Sequence, residues 1–281
     1  MDYKIRELQL GEILDHAIYL FRDEFKLIAI VLLFMLIPFY MVLTLAAAIL
    51  SPPIDFSIFL GGAPPAMYTE PSYFLISMAQ NLGNLVLTVV VIPITQAALI
   101  YAMALRYQGR AVTVKASVKH ALRKAPSVIL ASFVFVVAVG IGTACCCVVP
   151  GLLISLFWYL YMPLLVLEPG GFGADLVNAF TRSPRLMRGS LMKAFVLSLI
   201  LYLIGLAVGS AVAPAFLFTK SLLPRILAGI LGSVAYPLVK AFGTIVTTVF
   251  YFSERSRVEH LDLQLRLRDM MAVSEPAEAA L

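Results

Sequence analysis

The sequence predicts an all-α, polytopic membrane bundle: six transmembrane helices, arranged as three repeats of a cytoplasmic amphipathic helix followed by a membrane hairpin. Three observations carry that expectation. First, 61% of the 281 residues are hydrophobic and only 13% are charged, where a soluble protein carries about a quarter charged residues. Second, the apolar residues fall in long uninterrupted runs, which read as spans once they reach about 18 residues. Third, the basic residues collect in the segments that separate alternate runs.

The first run is preceded by the segment from Leu10 to Phe25, LGEILDHAIYLFRDEF, which is short, amphipathic and charged. Spans are expected at about 27–50, 77–105, 127–148, 151–167, 194–218 and 226–252, in one integral domain covering 1–271. At a rise of about 1.5 Å per residue such runs cross a hydrocarbon layer of about 30 Å. Helices close their own backbone hydrogen bonds there, and the alternating short strands of a barrel are missing from the pattern. The leader of the first run holds Asp2, Glu7, Glu12, Asp15, Asp23 and Glu24. That is unlike the short basic start of a signal peptide, so an uncleaved span is expected.

Between the first two spans, 51–72 carries Pro52, Pro53, Pro64, Pro65, Pro71, Gly61 and Gly62 and reads as an irregular loop. Its apolar residues, such as Phe56 and Phe59, would keep it close to the bundle. The final 272–281, including SEPAEAAL, has the composition of a disordered tail.

Orientation follows from Lys and Arg. Eighteen of the 21 basic residues lie before the first span, between the second and third, between the fourth and fifth, and after the sixth. By the positive-inside rule both termini are cytoplasmic. Lys220 and Arg225 fall on the opposite side, and Lys240 lies inside the sixth span.

The repeat emerges when Ala17, Ala121 and Ala179 are put in register. Seven residues earlier stand Leu10, Val114 and Phe172, three earlier Leu14, Val118 and Leu176, and one later Ile18, Leu122 and Phe180. Those offsets place the apolar positions on one helical face, so each copy is expected to lie flat at the cytoplasmic interface. The second copy carries Lys115, Lys119 and Arg123 at i, i+4 and i+8, a basic stripe suited to anionic headgroups. The third carries Arg182, Arg185 and Arg188 around Pro184, which either contact headgroup phosphates or serve topology alone.

The most unusual single residue is Lys240. It stands 12 residues before Phe252, roughly 18 Å into the layer at helical rise. A lysine at that depth costs about 3 kcal/mol or more on insertion scales, and no Asp or Glu lies inside any span. Pro237 cannot donate to the Ser233 carbonyl, which predicts a kink nearby. Two readings follow. Lys240, with Tyr236, Gln96 and Asn84, lines a polar cavity that receives a lipid phosphate or a carboxylate; or it bonds backbone carbonyls and Asn84, Thr88 or Gln96 as interhelical glue.

Other chemistry is sparse. Cys145, Cys146 and Cys147 are adjacent, which suits neither a disulfide framework nor a metal site. No His or carboxylate lies within a span, and there is no HExxH and no phosphate loop. The expected protein is therefore not an enzyme and takes no cofactor or metal. Its basic residues flank apolar runs, so no nucleic acid is expected as a partner.

The sixth span ends in Tyr251-Phe252-Ser253-Glu254-Arg255-Ser256-Arg257-Val258-Glu259-His260-Leu261-Asp262-Leu263. This resembles the close of bacterial proteins related to the membrane domain of glycerophosphoryl diester phosphodiesterases, roughly Tyr-Tyr-Asp-x-Arg-x-Arg-x-Glu-Gly-aromatic-Asp-Leu. The opening Leu10-Gly11-Glu12-Ile13-Leu14-Asp15, with Ala17, Tyr19 and Phe25, is similar to that family's start. Ser253, His260 and Leu261 depart from the pattern. The resemblance implies a multi-span helical protein of the bacterial cytoplasmic membrane. It does not imply the phosphodiesterase reaction, which belongs to a separate soluble barrel. Arg255, Arg257, Glu259 and Asp262 are expected to cap the bundle through internal ion pairs. The expected role is non-enzymatic engagement of lipids, preferentially anionic on the cytoplasmic face, or of a membrane-protein partner or second copy. The alternative is a transporter or channel for a lipid or small anionic solute near Lys240.

The topology makes a direct prediction. A thiol reagent that cannot cross membranes should label the cysteines at 145–147 from outside intact cells; labelling only after permeabilisation would overturn this topology.

Overall fold

The first helix forms because Gln9 and Glu12 close its start. The Gln9 backbone N–H donates to Glu12 Oε2 at 2.9 Å, which satisfies one donor that the first turn would leave orphaned. Arg6 pairs with the same carboxylate at 2.5 Å. Helix α1 then runs Leu10–Asp23. The computed structural model describes residues 6–50, 71–145, 148–217, 219 and 221–259. The loop positions 51–70, Cys146, Cys147, Lys220, His260, Asp262 and the tail lie outside the described residues.

Within them every regular element is a helix. After α1 come α2 (Phe25–Met35), α3 (Ile37–Leu50), α4 (Pro71–Val86), a π-helical turn (Leu87–Val91), α5 (Ile92–Tyr107) and α6 (Val114–Cys145). The order continues with α7 (Val149–Phe157), α8 (Tyr161–Leu167), α9 (Ala174–Met187), α10 (Leu191–Leu217) and α11 (Leu222–Glu259). Five stretches are long and apolar enough to cross a membrane: Pro71–Tyr107, Val114–Ala144, Val149–Leu167, Leu191–Ala215 and Leu222–Glu259. Helices α2 and α3 make a sixth if the bent pair counts as one span.

Proline sets where these rods break. The expected first span bends by 51° between α2 and α3, because Pro38 has no N–H for the Phe34 carbonyl and its ring crowds that turn. In the second, the π turn immediately precedes Pro93, and the Thr95 hydroxyl donates to the Val91 carbonyl at 2.8 Å. Such wide turns absorb a helix irregularity without ending the helix. The expected fourth span is two helices, α7 and α8, interrupted just before Pro163. Ser183 of α9, fully buried, repairs the gap: its hydroxyl donates to the Phe157 carbonyl at 2.8 Å and accepts from the Leu160 N–H at 3.2 Å. Pro71 and Ser72, expected in the loop, open α4 instead; a proline in the first turn loses no intrahelical bond.

The amphipathic segments differ from expectation in more than one respect; Phe172, aligned with Leu10 and Val114, precedes α9 and is exposed. The first and third are separate helices, α1 and α9, but the second is not. Its residues form the first turns of α6, which passes through Pro126 unbroken for 32 residues. After α9 the chain turns through Gly189 at φ +87°, a conformation that favours glycine. No glycine stands between Val114 and Pro126, and the chain continues as helix. The second basic segment is therefore an extension of a span and not a helix lying apart from it. The aligned alanines are buried in all three segments, at 0%, 0% and 2% exposure. The positions one residue later are not: Ile18 and Leu122 are exposed and Phe180 is half-buried. A step of 100° carries that position to the edge of the face.

Helix α11 is the axis of the assembly. It packs against α1, α2, α3, α5, α8, α9 and α10; its large buried apolar side chains are Ile245, Val246, Val249, Phe250, Tyr251 and Phe252, whereas the buried residues of its first half are mostly small, among them Ala228, Gly229, Gly232 and Ser233. The core is thus concentrated on the half of α11 near the charged end. Stacking of Tyr107 on Phe252 at 5.4 Å and of Tyr101 on His120 at 4.0 Å closes the α5 side. His120 also donates to the Val166 carbonyl at 3.1 Å, tying α6 to α8. At the other end α6 and α7 cross on glycines. A Cβ on Gly151 would lie 2.3 Å from Thr143 Cγ2 and 3.0 Å from the Val139 carbonyl.

That crossing predicts that Gly151→Val destabilises the α6–α7 hairpin by about 1–3 kcal/mol, the cost of overpacking. The reading is a lowered thermal midpoint of the detergent-solubilised protein. Gly140→Ala, where a Cβ meets nothing within 4 Å, should leave that midpoint unchanged.

Candidate functional site

A cavity of about 710 Å³ lies between the packed pair α10 and α11 on one side and α5, α6 and α8 on the other. Its floor is Gln96 and Ile100 of α5, Phe135 of α6, and Tyr159, Tyr161 and Met162 at the start of α8. Its walls are Ser198 to Gly209 of α10 and Tyr236 to Thr247 of α11. The space exists because small residues face it. Gly205 and Gly209 stand one helical turn apart on α10, and Gly243 lies on α11. A Cβ on Gly205 would meet nothing within 4 Å, and one on Gly209 would approach the Tyr236 hydroxyl at 3.2 Å.

Lys240, Tyr236 and Gln96 come together on this lining. Asn84 does not. It is exposed on α4, as is Thr88 on the π turn, and neither lines the cavity. Lys240 is exposed, and its ammonium makes no hydrogen bond or ion pair with any described residue; its carbonyl accepts from the Thr244 hydroxyl at 2.8 Å. Tyr236 is half-buried and stacks on Tyr40 of α3 with ring centroids 6.4 Å apart. The hydroxyls of Tyr159 and Thr247 sit 3.3 Å apart on the floor. The lining thus offers one cation, several neutral hydrogen-bonding groups and a largely aromatic and aliphatic wall, the composition of a small-molecule site. It contains no Asp, Glu, His or Cys among the described residues. Among the described residues no three such side chains are grouped as metal ligands.

The basic residues expected at headgroups divide. Lys115, Lys119 and Arg123 form an exposed stripe on α6, and Arg185 and Arg188 are exposed on and just after α9. Arg182 turns inward instead and bridges two carboxylates: Glu168 at 2.5 Å, and Glu259 at the end of α11. Arg255 donates to Glu259 at 2.8 Å and to the Tyr251 hydroxyl at 3.0 Å, and Tyr251 donates to Glu168 at 3.3 Å. Arg257 pairs with the buried Glu254 at 2.6 Å and donates to the Leu186 and Arg188 carbonyls at 3.1 and 2.9 Å. One more ring member was not legible in the pattern. Lys124 donates to Asp175 at 2.7 Å and to the Leu165 and Glu168 carbonyls, capping α8 with a cation. The only sequence signal for that pair is Asp175 in the first turn of α9, where a carboxylate favours the helix dipole.

Burial works against the charge on Glu259, but hydrogen bonds from Arg255 and Arg182 and their positive charge outweigh it, and the carboxyl is held below the usual range. Searches of protein-family models, curated proteins and solved structures found no match to this chain.

A depressed carboxylate stabilises the fold at pH above its unfolded value, and that contribution is lost as pH falls through the folded value. Thermal stability should therefore drop on acidification below about pH 4, and Glu259→Gln should show a smaller drop from a lower starting midpoint. Arg182→Leu, which leaves two carboxylates facing each other, should cost about 1–2 kcal/mol at neutral pH, less at high salt.

Proposed function

We propose that the chain is a non-enzymatic integral protein of the bacterial cytoplasmic membrane that binds an anionic amphiphile of the bilayer in the cavity at Lys240. The observation that carries this reading is the unpartnered Lys240 ammonium on the wall of a 710 Å³ space near the middle of α11. A cation held at such depth is costly unless an anion or polar group meets it. The cavity supplies neutral donors beside it and apolar surface around it. Among the described residues the lining has no carboxylate or histidine and no hydroxyl hydrogen-bonded to the Lys240 ammonium, which favours binding over reaction.

The overall plan supports the same reading. The long apolar helices suit six spans with both termini cytoplasmic, and the ion-paired end then forms a cytoplasmic collar. Three units, each a basic or amphipathic helix leading into a hairpin, match the three buried alanines. The exposed Lys115, Lys119 and Arg123 on that side would draw anionic headgroups to the protein. The resemblance of the two chain ends to the phosphodiesterase membrane-domain family points to the same setting.

The test is lipid retention. Protein purified from membranes in mild detergent and analysed by native mass spectrometry should carry an anionic lipid or fatty acid. Lys240→Met should lose most of it, and Lys240→Arg should keep it. Equal retention by all three proteins would count against the site. Flux of the same ligand across liposomes, dependent on Lys240, would recast the protein as a transporter.

A further inference from the structure

The chemistry of the lining narrows the ligand class, given that the Lys240 cavity is a binding site. We infer that the cavity selects amphiphiles whose head carries one negative charge and no positive group, a carboxylate or a phosphodiester, admitted sideways along α10, where that helix faces α5, α6 and α8 across the cavity. The charge count is the first ground. Among the described residues Lys240 is the one basic side chain on the lining, with no arginine or histidine beside it. A single ammonium balances a monoanion. A phosphomonoester dianion would keep one charge uncompensated in apolar surroundings, where an unpaired ion is strongly disfavoured. No carboxylate among the described residues lines the cavity, so the ammonium of a zwitterionic head would find no counter-charge there and would meet Lys240 as a like charge, which is penalised. A neutral head leaves Lys240 without an ion.

The entry route is the second ground. Tyr202 and Leu206 of α10 line the cavity and are 65% and 54% exposed, so the cavity is open along α10 and not closed over by it. The rim is therefore on the side of the bundle. Lys240 lies near the middle of the 38-residue α11, far from either end of the helix, so the rim faces the bilayer interior. The empty space at Gly205 extends from that rim, and an apolar chain can lie along it while the head reaches Lys240, Gln96 and Tyr236.

The chain's single tryptophan, Trp158, adjoins the cavity residue Tyr159, which makes energy transfer to bound cis-parinarate a direct readout. The full-length protein in detergent would be titrated with this fluorescent fatty acid and then with competitors. Oleate or phosphatidylglycerol should displace it at least about tenfold better than phosphatidylcholine, diacylglycerol or phosphatidic acid at a pH where the last is a dianion, a tenfold step being about 1.4 kcal/mol. Displacement by oleate alone assigns the site to free fatty acids, and by phosphatidylglycerol alone to diacyl phosphodiesters; either result upholds the monoanion rule. Lys240→Met should erase the preference over phosphatidylcholine, and Lys240→Arg should retain it. Gly205→Phe, which fills the open space, should abolish transfer while leaving the circular dichroism spectrum and thermal midpoint unchanged. If cis-parinarate and the lipids all fail to bind, the binding reading itself falls. If they bind but phosphatidylcholine or the dianion competes equally well, or Gly205→Phe still shows full transfer, the binding reading stands and the monoanion selectivity or the lateral route is overturned.

Discussion

Every backbone polar group in an apolar layer must find a partner, and the organisation of this chain follows from how it meets that demand. Unbroken helix is the default solution. Proline at 38, 93 and 163 removes a donor, and each site is resolved differently: a 51° bend, a π turn, and a full interruption. The interruption persists because Ser183 from another helix bonds both of its sides. Lys124 plays a similar part where α8 ends, donating to two carbonyls while paired with Asp175. Polar side chains in this protein are spent first on repairing backbone, and that use distinguishes them from Lys240.

The two halves of α11 follow different rules. Toward Glu259 it is enclosed by α1, α5, α8 and α9 and locked by ion pairs from Arg182, Arg255 and Arg257. Leu8 adds a backbone N–H to the Ser253 hydroxyl at 2.9 Å, so the segment before α1 is held by the same helix. Toward Leu222, α11 shares its surface with α3 and α10, and Leu223, Leu227 and Leu231 are exposed. The cavity opens at the transition between the halves. A site placed there has one wall, α11, packed on many sides, and one wall, α10, that is little buried and packs mainly against α11.

Much of the helical plan was readable before any coordinates, because long apolar runs and proline positions are local signals. So was the grouping of Lys240 with Tyr236 and Gln96, since the first two share a helical face at i and i+4. Asn84 was misplaced because face-sharing along a helix with a π turn does not persist: the wide turn at Leu87–Val91 rotates the residues before it relative to Gln96. The inward role of Arg182 was also hidden. Its partners Glu168 and Glu259 lie 14 and 77 residues away, and local spacing carries no information about such pairs. The continuity of α6 was missed for a related reason. An amphipathic start and an apolar remainder look like two elements, yet no capping residue separates them.

That continuity has an electrostatic consequence. Lys115, Lys119 and Arg123 sit on a rod that continues into an apolar span, so they are stacked along its axis and not spread in one plane. At about 1.5 Å per residue, Lys115 lies about 12 Å farther out along the rod than Arg123. Physiological salt screens charge over about 8 Å. In the proposed orientation the stripe therefore samples the surface potential of the membrane at graded depths. On that orientation Arg123 would work near the headgroups, whereas Lys115 would reach largely screened solution.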